Sequence, residues 1–303
     1  AGIRANWDPR GHPGLRQCGG CADLTDIRAN WGHNGWVTKI ALAIAGSEAT
    51  GGAGAQTDIK TFHQLGVYGC TALTCIVSFD PANDFGHRFV QIDPQVIHDQ
   101  IEASVGVHSQ IDAVKIGMLG TPTTIGAVAD ALKTYQFPQV VLDPVLICKG
   151  QEPGAALDTD NALREQVLPL ADLVTPNLFE TQVLAGVDEI TTVDQLKDAA
   201  RRIHDHGVPA VLAKAGTLLG TGTALDVFYD GQTMEVLEVP AVGSERVSGA
   251  GCTLAAAITA ELAKGAEPLQ ACRPATPAAG SATEKRRPVK APFDDAHQGC
   301  YTG

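Results

Sequence analysis

Short apolar runs recur along the chain, and segments of helical or loop character separate them. Lys39–Ala45, Thr71–Phe79, Ala113–Met118, Gln139–Asp143, Leu173–Thr175, Ala210–Lys214 and Ala224–Tyr229 read as strands. Ala55–Leu65, Thr123–Tyr135, Asn161–Leu168, Glu180–Ala185 and Val193–His206 read as helices. Strands this apolar are buried on both faces, and helical connections join parallel neighbours. The chain is therefore expected to be α/β, a mostly parallel sheet covered by helices on both faces. Ligands in such folds collect at the carboxyl ends of the strands.

The most unusual residues fall at such ends. Ser248-Gly249-Ala250-Gly251-Cys252 precedes an Ala-rich run closed by Lys264 and Gly265. Closely spaced glycines crowd backbone amides together, and a helix N-terminus attracts anions, phosphate above all. The same field is expected to lower the pKa of the Cys252 thiol. A second glycine-rich loop, Gly46–Gly54, follows the first strand run. It carries neither the Walker A lysine nor the dinucleotide glycine spacing, so it suits close approach of a small substrate, with Ser47 and Glu48 as polar contacts. Asp143, before Pro144, places a carboxylate where magnesium-bound phosphate could sit. Asn177 and Glu180 lie three apart on a first helical turn and suit Mg²⁺ partly through water. Lys214 offers a point charge to a phosphate. Singly, each is also an ordinary helix cap or solvated charge; at successive strand ends they point to one site.

Composition narrows the partners. A net charge of -12 argues against nucleic acid, and no apolar run is long enough to span a bilayer. Eight cysteines without an export-type N-terminus read as reduced thiols in a cytoplasmic protein. Residues 1–36 contain an echo, Ile3-Arg4-Ala5-Asn6-Trp7 and Ile27-Arg28-Ala29-Asn30-Trp31, and read as an extension. Cys18-Gly19-Gly20-Cys21 has the spacing of half a zinc site without its second pair. Residues 273–303 are rich in Pro, Ala and Lys without an apolar period, and are expected not to pack a core. The organised domain is thus expected over 37–272.

Several segments in order carry a resemblance: Ala45–Gly54, Gln56–Phe62, Gly66–Gly69, Lys115–Leu119, Asp143-Pro144-Val145, Lys149-Gly150, Thr175-Pro176-Asn177 with Glu180, Asp226–Gly231 and Gly249–Thr253. In these the sequence resembles the ribokinase-superfamily vitamin kinases, the group of bacterial pyridoxal kinases and hydroxymethylpyrimidine (phosphate) kinases. The resemblance implies a ribokinase-like three-layer sandwich with a small lid, a homodimer, and ATP-dependent, Mg²⁺-assisted phosphorylation of a hydroxymethyl group on a heteroaromatic ring. It implies an anion hole at Gly249, Ala250 and Gly251, with Cys252 at the position of the catalytic base. Asn177, Lys214, Ala215, Gly216, Thr217, Leu218 and Asp226 would serve ATP, and Asp143 and Glu180 the metal. Ser47, Glu48, Val77, His87 and Met118 would line the acceptor pocket. Cys148, in the lid segment, would add reversibly to the aldehyde of pyridoxal, which the pyrimidine alcohol lacks, so the resemblance favours phosphorylation of pyridoxal, with pyridoxine and pyridoxamine as further acceptors. A hydroxymethylpyrimidine kinase, or a pyridoxal-binding protein with weak transfer, are the alternatives. The chain departs from the group at Glu48, where an aspartate is usual, at Val247-Ser248, and in its C-terminal tail.

Overall fold

The computed structural model describes residues 38–146, 153–243, 247–289 and 294–298. The expectations for residues 1–36, including the Cys18 and Cys21 pair, and for Cys148 with Lys149-Gly150 lie outside these. A nine-stranded sheet runs β3-β2-β1-β4-β5-β6-β7-β8-β9. Its strands are β1 (Ile40–Glu48), β2 (Tyr68–Asp80), β3 (Gly86–Gln91), β4 (Ala113–Ile116), β5 (Val140–Leu142), β6 (Leu173–Val174), β7 (Ala210–Gly216), β8 (Thr223–Tyr229) and β9 (Met234–Pro240). From β2 through β7 every pairing is parallel. β3, β8 and β9 add antiparallel edges. The mostly parallel expectation holds. β3 and β9 escape a search for apolar runs because their residues are largely half-buried or exposed.

Eight α-helices accompany the sheet among the described residues: α1 (Gly54–Gln64), α2 (Pro94–Val107), α3 (Pro122–Tyr135), α4 (Pro153–Ala162), α5 (Leu178–Ala185), α6 (Val193–Asp205), α7 (Ala250–Ala263) and α8 (Pro268–Glu284). The stretch expected as a helix at 161–168 is the end of α4 followed by a π-turn at Leu163–Val167 and a 3₁₀ turn at Leu168–Leu170. None of these helices is long and apolar enough to cross a membrane.

Side chains on β1 alternate between two cores. Leu42 and Ile44 join Ile97 and Ile101 of α2, Val128 of α3 and Leu196 of α6. Ala41 and Ala43 point the other way, with Ala113, towards Phe62 of α1 and Ala256, Ala260 and Ala263 of α7. Alanine on both sides lets the α7 backbone come close to the sheet. The larger residues Leu254, Ile258 and Leu262 of α7 pack beside Leu212, Phe228 and Ala271.

The expected end of the domain at residue 272 is incorrect. Helix α8 runs through Glu284 and buries Ala271, Cys272, Ala275, Thr276 and Ala282. Pro274 and Pro277 sit inside it, each costing about 3 kcal/mol relative to alanine in an ordinary helix interior. Burial against α7 and a two-pronged contact of Arg273 with Glu235 of β9, at 2.9 and 2.7 Å, help to offset that cost. Beyond α8, β11 (Asp294–Asp295) pairs in parallel with β10 (Val247–Ser248), and Ala296 and Gln298 are buried. An apolar period is no guide here because alanine and threonine, not large residues, make the buried face. Replacing Ala256→Leu should overpack the α7 contact and lower the unfolding free energy by roughly 1–3 kcal/mol, read from denaturant midpoints.

Candidate active site

β1 ends in the glycine-rich loop, and Glu48 organises it. Its buried carboxylate accepts hydrogen bonds from the Thr50 amide and hydroxyl, both at 2.7 Å, and from the Gly52 and Ala53 amides at 2.9 and 3.3 Å. Gln56 of α1 fastens the loop base, donating to Ser47 Oγ at 2.7 Å and accepting from the Glu48 amide at 3.0 Å. Glu48, expected as a polar contact for substrate, lines the acceptor cavity, and its carboxylate also holds its own loop.

This loop meets the start of α7. Gly249 has φ 79°. A Cβ there would collide with the Gly52 carbonyl, so the two glycine segments stack backbone on backbone. The turn that results separates two cavities. The first, about 240 Å³, is lined by Ser47, Glu48, Val77, His87, Met118 and Cys252, and also by Phe79, Phe89, Lys115 and Val145. All five expected acceptor residues and the cysteine are thereby brought together. Phe79 and His87 pack edge to face with ring centroids 4.8 Å apart. Phe89 was missed because it lies on β3, which has no apolar run.

The second cavity, about 250 Å³, lies across the turn. Lys214, Gly216, Thr217 and Asp226 line it, with Ala250 and Gly251. Its far wall comes from Thr276, Ala279, Gly280 and Thr283 of α8, within the segment whose composition predicts no packed core. Two expected ATP residues do not face it: Ala215 is buried in the core, and Leu218 is exposed. Asn177 also lies outside its lining. It caps α5, its Oδ1 accepting from the Glu180 amide at 3.0 Å while Glu180 accepts from the Asn177 amide at 2.7 Å. The helix-cap reading of this pair is realised.

Beneath the turn lies a chain of buried charge. Lys115 contacts Asp58 at 3.0 Å and Asp143 at 3.9 Å. Lys214 contacts Asp143 at 2.9 Å, and Thr175 donates to the same carboxylate at 3.4 Å. Burial alone would push Asp143 up, but Lys214 and Lys115 outweigh it and hold the carboxyl below its usual range. Glu180 is pushed up to about 7 by burial, against Lys214 and reinforced by Asp143. Burial likewise lifts Asp226 to about 6, opposed by Lys214.

Cys252 requires a correction. Its thiol was expected to be acidified by the helix terminus, but burial lifts it to about 11. Lys115 and a hydrogen bond from the Gly54 amide lower it, while Asp143 and Asp58 raise it further. At neutral pH the free protein carries a protonated thiol.

The family model for phosphomethylpyrimidine kinase matches residues 48–291. The chain belongs to this family. Its relatives include the pyridoxine kinase of Bacillus subtilis, 48% identical over 227 residues that cover 75% of this chain and 83% of the relative. A hydroxymethylpyrimidine/phosphomethylpyrimidine kinase of Rhizobium meliloti is 40% identical over 78% of this chain and 86% of its own. Among solved structures, the pyridoxal kinase of Staphylococcus aureus in complex with AMP-PCP and pyridoxal is 34% identical, with a TM-score of 0.81 over 88% of this chain and 95% of that one. The family match ends at 291, within the segment whose α8 walls the second cavity. In this kinase Gly249→Ala should leave either the loop or the turn displaced, with turnover falling at least tenfold and the unfolding midpoint lowered, as measured by steady-state kinetics and thermal melts.

Proposed function

We propose that the chain is an ATP-dependent pyridoxal kinase, phosphorylating the 5′-hydroxymethyl group of pyridoxal, and of pyridoxine and pyridoxamine, to the 5′-phosphate. The observation that carries this reading is the single turn between the cavities, with Cys252 facing one and Ala250 and Gly251 facing the other. An acceptor ring in the first cavity, among Phe79, His87 and Phe89, would present its hydroxymethyl to a γ-phosphate held over the α7 amides. Lys214, whose ammonium lies within 3.4 Å of where a Gly251 Cβ would stand, supplies positive charge at that point. The acceptor oxygen bonds to the γ-phosphorus as the bond to the β,γ-bridging oxygen breaks. ADP leaves with that electron pair, and the hydroxyl proton passes to the Cys252 thiolate. Such transfer depends chiefly on alignment and charge stabilisation, so a sparse thiolate suffices.

Asp143 and Glu180 supply the hard oxygen donors that Mg²⁺ prefers. Because lysines already engage Asp143 and the Asn177 amide engages Glu180, they suit an ion held through water. The ion would neutralise phosphate charge during transfer. In the lid segment, Cys148 is proposed to add to the pyridoxal aldehyde, its sulfur bonding to the carbonyl carbon and its proton ending on the oxygen. A cytoplasmic homodimer accompanies this reading, on the family resemblance and the reduced-type cysteines.

The family name favours a second reading, hydroxymethylpyrimidine phosphorylation, and an aromatic-lined cavity suits a flat heteroaromatic ring of either kind. The weak-transfer alternative loses its main support, because the C-terminal segment forms the wall of the second cavity. ADP release with Mg-ATP and each alcohol in turn separates them. Turnover confined to the pyridine vitamers is the expected result; preference for the pyrimidine would establish the second reading. Cys252→Ala should reduce kcat by about 100-fold or more. Below about 11 the thiolate fraction rises tenfold per pH unit, so kcat/KM should climb between pH 7 and 9, and this slope should vanish in Cys252→Ala.

A further inference from the structure

Lys115 stands out among the buried groups. It is fully buried near the end of β4, yet it also lines the acceptor cavity. Asp58 of α1, itself fully buried, holds its ammonium at 3.0 Å, and Asp143 lies 3.9 Å away. Gly117 makes room for it, since a Cβ there would stand 2.9 Å from Lys115 Nζ. Burying a lysine and its partner is costly, and well-packed apolar residues often serve stability equally well. A pair so placed, at the edge of a ligand cavity and one carboxylate away from Lys214, suggests a role in chemistry. Asp143 thus touches one lysine that faces the acceptor cavity and one that faces the nucleotide cavity.

We propose that Lys115 is a catalytic cation of the acceptor side, contacting the hydroxymethyl oxygen and the arriving phosphoryl group while Lys214 acts from the nucleotide side. The inference rests on the kinase reading above. Transfer proceeds as written there: the acceptor oxygen bonds to phosphorus, the bridging bond breaks, ADP departs with its electrons, and the proton goes to the Cys252 sulfur. Lys115 neither gains nor loses a proton. Held by the Asp58 carboxylate at 3.0 Å with Asp143 at 3.9 Å, it is a fixed positive charge. A cation already in place needs no reorganisation as charge develops, which is where preorganised groups contribute most. Asp58 is the positioning residue, setting where the ammonium stands.

The test compares the parent with Lys115→Met and with the double variant Asp58→Asn/Lys115→Met, which leaves no lone buried charge. Thermal unfolding reports folding, a spectroscopic titration reports pyridoxal affinity, and steady-state kinetics with saturating Mg-ATP separate kcat from KM. The expected result is a folded double variant that binds pyridoxal within about threefold of the parent, with kcat lowered about 100-fold. A double variant with parental kcat, or one whose loss lies wholly in pyridoxal affinity, would overturn the role of Lys115 and leave the kinase reading standing. Absence of turnover by the parent with every alcohol would overturn both. If Lys115→Met alone fails to fold, the double variant decides the outcome.

Discussion

Close packing of alanine on alanine, between β1 and β4 on one side and α7 on the other, is the constraint on which the rest depends. Ala41, Ala43 and Ala113 present a flat surface to Ala256, Ala260 and Ala263. Larger residues at this contact would lift the helix away from the sheet. The N-terminus of α7 would then no longer meet the glycine loop that follows β1. Because Gly249 stacks on Gly52, and Glu48 fixes the loop from behind, a packing decision in the core sets the position of the amides. The two cavities exist as separate chambers because that turn stands between them.

The second determinant is charge. Asp58, Lys115, Asp143 and Lys214 form an alternating series of carboxylates and ammoniums beneath the turn. Each is tolerable in the interior only because the next one balances it. Alternation keeps Asp143 ionised, whereas Glu180 and Asp226, with burial less fully compensated, are pushed up towards neutral pH. The same surroundings decide the state of Cys252. A helix N-terminus favours a thiolate in isolation, but desolvation and two nearby carboxylates outweigh it. The chemistry of the cysteine is therefore a property of the cluster.

The C-terminal segment shows how composition can mislead. Pro274 and Pro277 break the helical rule locally, and no large apolar residue recurs between Cys272 and Glu284. Yet α8 forms because its neighbours require only a small-residue face: Ala271, Cys272 and Ala275 pack against α7, and Gly280 and Thr283 face the second cavity. Tertiary contacts compensate the missing backbone donors. A strand pairing between Ser248 and Asp295 then ties the distal chain to the residue that opens the α7 turn.

By itself the sequence determined the alternation of strands and helices, the parallel centre of the sheet, and the glycine turns at Gly46–Gly54 and Gly249–Gly251, because these follow from local periodicity and from conformations that glycine alone adopts freely. The same local logic, joined to the resemblance, placed Ser47, Val77, His87 and Met118 with Cys252 in one pocket, as the structure does. Only the tertiary structure decided that Glu48 serves its loop, that Asn177 and Glu180 satisfy each other, that Leu218 turns outward, and that α8 walls a cavity. It also decided the protonation of Cys252 and brought Asp58, Lys115, Asp143 and Lys214 together from positions up to 156 residues apart, 58 to 214. Hydrogen-bond partners, desolvation and the field of neighbouring charges depend on distances through space, which spacing along the chain does not encode.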